Sequence, residues 1–262
     1  MNNQINILKI SYRNLKRNHR RTLLTASLIT LGVVFVLVYT AMAGSFKGYM
    51  VGQITDSMMG HLQIHKKGYV ASLDNLPLDK NLNKKALDMI EEQLEDNPYI
   101  HSYSYRIKFG SMLSNFVSTT NIRLNGVNPK DEFKTLPDLA KRFNNFNGEL
   151  KKGEIIIPEL LAKGMKLKVG DPIVLVANNK NGSVNGINLK IVGVSQQISG
   201  PGGRDGYIHT DDAKKVLRIK GVEVSEIVVR LKDVSMLKEA MQSLKPIMEK
   251  TNKMGKPAFE VH

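Results

Sequence analysis

The chain has 262 residues with no cysteine and no tryptophan, and its formal net charge at pH 7 is +14. The absence of cysteine excludes a disulfide framework, a thiol nucleophile and a thiolate metal site. The phosphate-binding pattern Gly-x-x-x-x-Gly-Lys-Ser/Thr is also absent, so energy from ATP by that mechanism must come from another subunit. The basic balance favours anionic lipid, an acidic partner or simply a lysine-rich solvated surface.

An apolar segment without charge follows a basic leader at the N-terminus. Residues 22–46 carry no charged side chain, whereas residues 1–21 carry six lysines and arginines and no acid. As a helix, Leu23 to Ala43 spans about 31 Å, the thickness of a bilayer hydrocarbon core. Because cationic flanks stay cytoplasmic, the sequence predicts one transmembrane helix over residues 22–46 with the N-terminus inside and the main domain outside. Nucleic acid is therefore not an expected partner.

Other interpretations of the N-terminal region remain open. Ala41-Met42-Ala43 resembles a signal-peptide cleavage site, although both the apolar segment and the leader are longer than signal peptides require. A buried globular helix is a further alternative. The leader places Ile5, Leu8, Tyr12 and Leu15 at helical spacing among basic residues. It predicts either an amphipathic helix on the cytoplasmic leaflet or an extended start of the membrane helix.

The elements after the membrane helix predict an α/β unit with a β-rich interruption. Strand Gly60–His65, helix Asn83–Asp96 and strand Tyr103–Phe109 form a first β-α-β pattern. A β-rich stretch with turns at Asn128-Pro129, Val169–Pro172 and Asn181-Gly182 then follows, and in it only Pro158–Lys166 looks helical. The last part is predicted to contain strand Gly206–His209, a helix with Thr210 as N-cap, strand Ile227–Leu231, a helix capped by Ser235 and kinked at Pro246, and strand Ala258–Val261.

Several segments in a fixed order resemble one protein family. Tyr12–Asn18 with Arg20–Thr25 resembles the opening of FtsX-like ABC-transporter permeases. The segment Gly60–His65 is similar to a segment typical of the family branch close to the lipoprotein-releasing permeases LolC and LolE. Resemblance to the extracytoplasmic core of the MacB/LolC/LolE group continues through Gly126–Glu132, Glu154–Ala162, Val169–Asp171 and Ser225–Lys232.

The resemblance implies an α+β fold with one N-terminal transmembrane helix, a periplasmic α/β porter-like subdomain and a β-rich sabre-like insertion. The expected organisation is a cytoplasmic basic leader at 1–21, the membrane helix at 22–46, the porter-like subdomain at 47–112 and 206–262, and the insertion at 113–205. Three further membrane helices and a cytoplasmic coupling segment normally follow in this family. The chain is therefore expected to be a fragment or an atypical member.

Few residues are candidates for chemistry. His61 and His65 lie four residues apart on a predicted strand, about 13 Å, which is too far for one metal ion. Asp211-Asp212 suits the positive end of a helix better than acid/base catalysis. We expect no enzyme activity, cofactor or metal. The best interaction candidate is the loop Gly200, Pro201, Gly202, Gly203, Arg204 and Asp205, in which glycines allow unusual backbone angles and Arg204 suits a carboxylate; a plain connection is the alternative.

Two functions are compatible with these features. In the first, the chain is a permease subunit in the inner membrane that couples hydrolysis by a cytoplasmic ABC ATPase to periplasmic movement, releasing or exporting lipoproteins or other substrates. Its partners would be that ATPase, a second permease subunit in a homo- or heterodimer, a periplasmic carrier or lipoprotein cargo, and membrane lipids. In the second, it is a single-span anchored binding or scaffold protein without a transport cycle.

Overall fold

The computed structural model describes residues 2–197, 204–251, 255 and 257–262; the side chains of residues 2–6 and 8 are not described. The chain divides into two compact units, residues 1–51 and 52–262. The first contains helix α1 (Asn2–Arg17) and most of helix α2 (His19–Ile54).

Helix α2 confirms the prediction of one apolar N-terminal helix. None of its residues is buried, and its exposed side chains include Leu24, Phe35 and Tyr39. By length and composition alone, the stretch His19–Met59 is long and apolar enough to cross a membrane. Helix α1 agrees with the helical interpretation of the leader and carries Lys16 and Arg17 in its last turn.

The second unit is a mixed α/β structure. Its helices after a π-helix at Thr55–Met59 are α3 (Lys84–Glu95), α4 (Pro129–Thr135), α5 (Glu159–Gly164), α6 (Thr210–Leu217), α7 (Leu237–Ser243) and α8 (Lys245–Glu249). Its strands are β1 (Leu62–Lys66), β2 (Leu82–Asn83), β3 (Ile100–Ser114), β4 (Thr119–Val127), β5 (Phe143–Asn144), β6 (Glu154–Pro158), β7 (Pro172–Asn178), β8 (Val184–Ser195), β9 (Gly206–His209), β10 (Glu223–Val224), β11 (Glu226–Leu231) and β12 (Phe259–Val261).

Six of these strands close into a ring. Strand β3 pairs with β4, β4 with β9, β9 with β6, β6 with β8, β8 with β7, and β7 returns to β3. The first half of β3 also pairs with β11, which continues the sheet through β1 to β12. Strand β3 therefore belongs both to the closed ring and to the open arm.

Apolar side chains from the ring, the arm and the helices form one large core. Ile107, Phe109 and Leu113 alternate along β3 and are buried in it, together with Ile90 from α3 and Val216 from α6. Gly126 on β4 shows how closely α6 packs: an added Cβ would lie 2.4 Å from the Cβ of Ala213. A smaller cluster forms around Leu136, Leu139, Phe143, Ile156 and Tyr207.

Several local predictions were wrong in their details. Asn128-Pro129 was expected to be a turn but begins α4, because Asn128 accepts a hydrogen bond from the backbone of Lys130 and proline suits a first helical position. The N-cap of α6 is His209 rather than Thr210, and Nδ1 of its ring accepts from the backbone N–H of Asp211 at 3.2 Å. Ser235 is likewise not the cap of its segment, since Asp233 accepts from its backbone N–H.

Other local predictions were confirmed. Helix α3 (Lys84–Glu95) lies within the predicted range Asn83–Asp96, and Asn83 is its N-cap, accepting from the backbone N–H of Ala86 at 3.0 Å. The helical segment around Pro246 is broken into α7 and α8, with the proline in the first turn of α8. The predicted boundary at residue 112 falls inside β3, and residues 52–262 form one compact unit. The division into porter-like and sabre-like parts stays a prediction.

Candidate functional site

The segment where the chain enters the domain has an unusual backbone. Residues Thr55–Met59 form a π-helix that ends at Gly60, where φ is +70°. A Cβ on Gly60 would lie 2.9 Å from the carbonyl oxygen of Val229 and 2.5 Å from a side-chain carbon of Val228. Glycine is therefore required both by the backbone angle and by the contact with β11. We call Gly52–Gly60 the entry segment.

An ion pair fastens the entry segment to β11. Nη1 of Arg230 donates to Oδ1 of Asp56 at 2.7 Å, and Nε2 of His61 lies 3.8 Å from the same oxygen. Nδ1 of His61 accepts from the backbone N–H of Leu231 at 3.1 Å, which requires an unprotonated nitrogen. Burial lowers the pKa of His61, and the charge of Arg230 lowers it further, against the opposing effect of Asp56. The imidazole is therefore held neutral at pH 7.

Arg142 connects the entry segment to the base of the predicted interaction loop. Its Nη1 donates to the carbonyl oxygen of Ser57 and its Nη2 to that of Gln196, both at 3.1 Å. The backbone N–H of Gln196 returns a bond of 2.8 Å to the carbonyl of Arg142. A second backbone bond, from Asp138 to the carbonyl oxygen of Asp56 at 3.1 Å, holds the same segment. The entry segment is thus bound to β11, to Asp138 and to Arg142.

A polar cavity of about 160 Å³ lies directly behind the entry segment. Met58 and Met59 line one side of it, and Gln63, His65 and His262 contribute further wall. The remaining lining residues include the charged side chains Arg106, Lys108, Asp205 and Glu226. We call this space the polar cavity after the four charged side chains in its wall, although most of the exposed wall is apolar. Its volume has room for a few ordered waters beside those charged groups.

The charges beside the polar cavity form a buried cluster. Nε of Arg106 donates to Oε1 of Glu132 at 2.7 Å, and its Nη1 donates to Oε1 of Glu226 at 3.0 Å. Ser104 donates to the other oxygen of Glu132 at 2.6 Å, and Nζ of Lys108 lies 3.4 Å from Glu226. Arg106, Glu132 and Glu226 are each at most 2% exposed. We call these five side chains the buried charge cluster.

Within the buried charge cluster, the opposite charges of Arg106, Lys108 and Glu226 favour one another's ionised forms. Burial alone would raise the pKa of Glu226, but the charges of Lys108 and Arg106 outweigh it and hold that pKa at about 2. Burial would lower the pKa of Arg106, yet Glu132 and Glu226 raise it above its usual value. Burial raises the pKa of Tyr207 to about 12, so that its hydroxyl stays neutral. Arg106 and Glu226 therefore remain charged at neutral pH.

Two buried groups beside the cluster keep polar atoms without partners among the described residues. The ring of His65 stacks on Tyr69 with centroids 5.0 Å apart, and Nδ1 of His65 and the hydroxyl of Tyr69 make no hydrogen bond. Burial is the main cause of a lowered pKa for His65. Within the described part of the chain, no group of three or more His, Cys, Asp or Glu residues is arranged to hold a metal ion.

The predicted interaction loop is only partly described. Gly200, Pro201, Gly202 and Gly203 lie outside the described residues. Arg204 is exposed, whereas Asp205 is buried and accepts from Nε of Arg123 at 3.0 Å and from Asn125 at 3.4 Å. Gly206 then packs so closely that a Cβ would lie 2.8 Å from the carbonyl oxygen of Ile156. The role of the loop as a partner site stays a prediction.

The sequence interpretation did not identify Asp56, Arg142 or the buried charge cluster. The strand pattern gave no signal, because Arg106 lies on the face of β3 opposite the core residues Ile107 and Phe109, where alternation predicts an exposed side chain. That second face is also buried at Ser102, Ser104 and Arg106. The partners Glu132 and Glu226 lie 26 and 120 residues further along the chain, so spacing alone does not reveal them.

Comparison with known proteins agrees with this architecture. The family model described as the MacB-like periplasmic core domain matches residues 22–247. The chain belongs to the MacB-like periplasmic core domain family. The periplasmic region of MacB from Actinobacillus actinomycetemcomitans has the same fold, with a TM-score of 0.50 at 14% identity over 77% of this chain and 87% of that one.

A second solved structure is similar over a comparable range. The extracellular domain of the noncanonic ABC-type transporter YknZ from Gram-positive bacteria gives a TM-score of 0.48 at 13% identity, covering 77% of this chain and 98% of that one. No curated protein sequence matches this chain. Membership of the MacB-like family supports a role in a transporter permease and implies a partner ATPase. The apolar N-terminal helix is consistent with a membrane-anchored periplasmic domain.

Proposed function

We propose that this MacB-like chain forms part of the permease subunit of an ABC transporter in the inner membrane. A cytoplasmic ATPase supplies the energy, because the chain has no phosphate-binding loop of its own. The N-terminus is cytoplasmic, the domain is periplasmic, and a second permease subunit completes a homo- or heterodimer. The chain itself carries no catalytic activity and needs no cofactor.

The observation that carries this proposal is the attachment of the entry segment. A displacement delivered along the chain at Gly52 reaches the domain through residues that are held by side-chain and backbone bonds. Asp56 is bound to Arg230, and the carbonyl of Ser57 is bound to Arg142. Because Arg142 also binds Gln196, the same displacement extends to the base of the Gly200–Asp205 loop. A plain anchor would not need these connections.

A more specific proposal concerns the transported substrate and the membrane lipids that contact the protein. The similarity of Gly60–His65 to the LolC/LolE segment favours lipoprotein release, with a periplasmic carrier or the lipoprotein itself as partner. The exposed basic residues of α1, including Arg13 and Arg17, suit anionic lipid headgroups at the cytoplasmic surface. Other exported substrates would use the same movement of the domain.

The movement can be measured directly because the chain contains no cysteine. The full chain is purified from native membranes with its associated proteins and spin-labelled at Phe46→Cys and Val117→Cys; Val117 is 93% exposed. We expect an ABC ATPase to co-purify and the distance between the labels to change when ATP is added. A control pair at Val117 and Val184, both on hairpins of the ring, should keep its distance.

Paired variants distinguish a loss of coupling between ATP and the domain movement from a general loss of folding. Asp56→Asn with Arg230→Gln should reduce the ATP-dependent change, whereas Glu149→Gln with Lys151→Gln, an exposed pair without a contact to the entry segment, should not. Co-purification without any ATP-dependent distance change, or no ATPase at all, would favour the single-span scaffold function instead.

Orientation is tested separately with reporter fusions. Alkaline phosphatase joined after Phe46 or after Lys108 should be active, because both positions are expected outside the cytoplasm. A fusion after Asn18 should be inactive. Fluorescence from a cytoplasm-only reporter at Lys108 would reject the proposed orientation.

A further inference from the structure

An open groove lies apart from the polar cavity, between the edge of the β1–β12 pair and the start of α3. Its volume is about 640 Å³, within the range of small-molecule sites in proteins. Its apolar lining consists of Leu82, Ala86, Met89, Pro257, Ala258 and Phe259. We call it the basic groove, and none of its lining residues lines the polar cavity.

Lysines surround this apolar surface. Lys66, Lys67, Lys85 and Lys250 line the groove, and its described lining contains no aspartate or glutamate. Lys66 donates to the carbonyl of Asp79 at 3.2 Å, and Lys67 lies 3.2 Å from Glu260. The side chains of Lys85 and Lys250 are exposed, and their ammonium groups make no hydrogen bond or ion pair to another described residue. Two ammonium groups are therefore available for an anion.

A buried amide supplies a third donor. Asn81, which lines the groove, is 6% exposed, and its Oδ1 accepts from the hydroxyl of Ser225 at 3.0 Å. Its Nδ2 has no partner among the described residues. A buried donor without an acceptor is costly, and because this nitrogen is closed to solvent, an acceptor in the groove satisfies it after a shift of the Asn81 side chain. The positive end of α3, which begins beside Lys85, adds to the attraction for negative charge.

We propose that the basic groove binds an amphiphilic organic anion, with a carboxylate or phosphate between Lys85, Lys250 and Asn81 and an apolar chain against Met89 and Phe259. A purely apolar ligand would leave the two ammonium groups and the amide unpaired. A compact inorganic anion would leave the apolar surface exposed to water. Only a ligand with both parts matches the whole lining, and this inference does not depend on the transport function.

The binding test uses a reporter inside the groove. The full chain is reconstituted in nanodiscs of zwitterionic lipid with ¹³C-labelled methionine methyl groups, and the Met89 resonance among the twelve methionines is assigned with Met89→Leu. Octanoate and octyl phosphate are titrated against 1-octanol, acetate and octylammonium. We expect the Met89 resonance to shift with the two amphiphilic anions at concentrations about tenfold or more below those of the other three.

Charge variants make the test specific. Lys85→Gln with Lys250→Gln should raise the octanoate midpoint about tenfold, and Lys85→Glu with Lys250→Glu should reverse the preference in favour of octylammonium. Lys168→Gln with Lys232→Gln changes the net charge equally, at exposed positions outside the groove, and should leave the midpoint unchanged. Thermal melts establish that every variant is folded.

Three results would overturn the proposal. Equal midpoints for octanol and octanoate would show that charge has no part in binding. An equal loss in the Lys168/Lys232 control would assign the attraction to general surface charge. A Met89 resonance that stays fixed while other methionines shift would place the anion elsewhere, for example in the nanodisc lipid.

Discussion

Replacing Arg106 should strongly lower the free energy of unfolding of the domain, because it leaves buried carboxylates without their partner. Arg106 is 2% exposed and binds two carboxylates that are also buried, Glu132 and Glu226. Arg106→Met keeps much of the side-chain volume but removes both guanidinium contacts to Glu132 and the single contact to Glu226. Among the described side chains, Glu132 then retains only Ser104, and Glu226 retains Lys108 at 3.4 Å.

The magnitude follows from the charge that is left behind. Removing one partner of a buried ion pair costs about 3–5 kcal/mol of the free energy of unfolding. Because Glu132 is 0% exposed and has no other cation within bonding distance among the described residues, the loss should lie in that range. Arg106→Met with Glu132→Met removes the stranded carboxylate as well and should recover about half of the loss or more.

Pulse proteolysis of the full chain in nanodiscs over a urea series measures these free energies without a soluble fragment. The matched control is Lys141→Met, which breaks the exposed pair with Asp138 and should cost about 0–1 kcal/mol. A loss of about 1 kcal/mol or less for Arg106→Met would refute the reasoning. So would a double variant less stable than the single one, since it would mean that Glu132 is not stranded.

Three further predictions can be checked with the same material. Gly126→Ala should destabilise the domain by about 1–3 kcal/mol, because the new methyl group would overlap Ala213; pulse proteolysis measures the loss, and an unchanged stability would contradict the packing of α6. The stability should fall as the pH drops below about 6.5, because the pKa values of His61 and His65 are lowered in the fold and the unfolded chain binds these protons first. His65→Gln should reduce that slope and leave the part due to His61, and an unaltered slope would exclude His65 as a contributor. Arg204→Ala should leave the melting temperature nearly unchanged, within about 0.5 kcal/mol, but weaken binding of a loop partner by about 1–2 kcal/mol in titrations with purified candidates; equal affinity would reduce the loop to a connection.

The elements were predictable where a short-range pattern determines them. The alternation around Tyr103–Phe109 and the apolar spacing of α3 identified a strand and a helix, although β3 extends further in both directions. The uncharged stretch at 22–46 identified α2, which begins at His19. Helix α4 was missed because it has only seven residues and because an asparagine–proline pair serves a helix start as well as a turn.

The ring and the candidate site depend on contacts between distant residues, which a single sequence does not display. Strand β4 pairs in parallel with β9, about 80 residues later, and nothing near Leu124 indicates Gly206 as its neighbour. The pair Asp56–Arg230 joins residues 174 positions apart. The loop was selected for its glycines and Arg204, a local signal, whereas Asp205 turned out to be buried against Arg123. Local patterns identify exposed candidates more readily than buried partners.

Strand β3 has a consequence for anyone who wishes to divide this domain. Its fifteen residues extend about 50 Å. The first half pairs with β11, the second half pairs with β4, and the last three residues also pair with β7. Excising residues 113–205 and rejoining the ends would remove β4, β6, β7 and β8 and leave bare backbone along the rest of β3. Such an edge recruits strands from other molecules. A minimal version of the domain should therefore keep β3 and β4 together as a hairpin, because β4 then still pairs with the second half of β3.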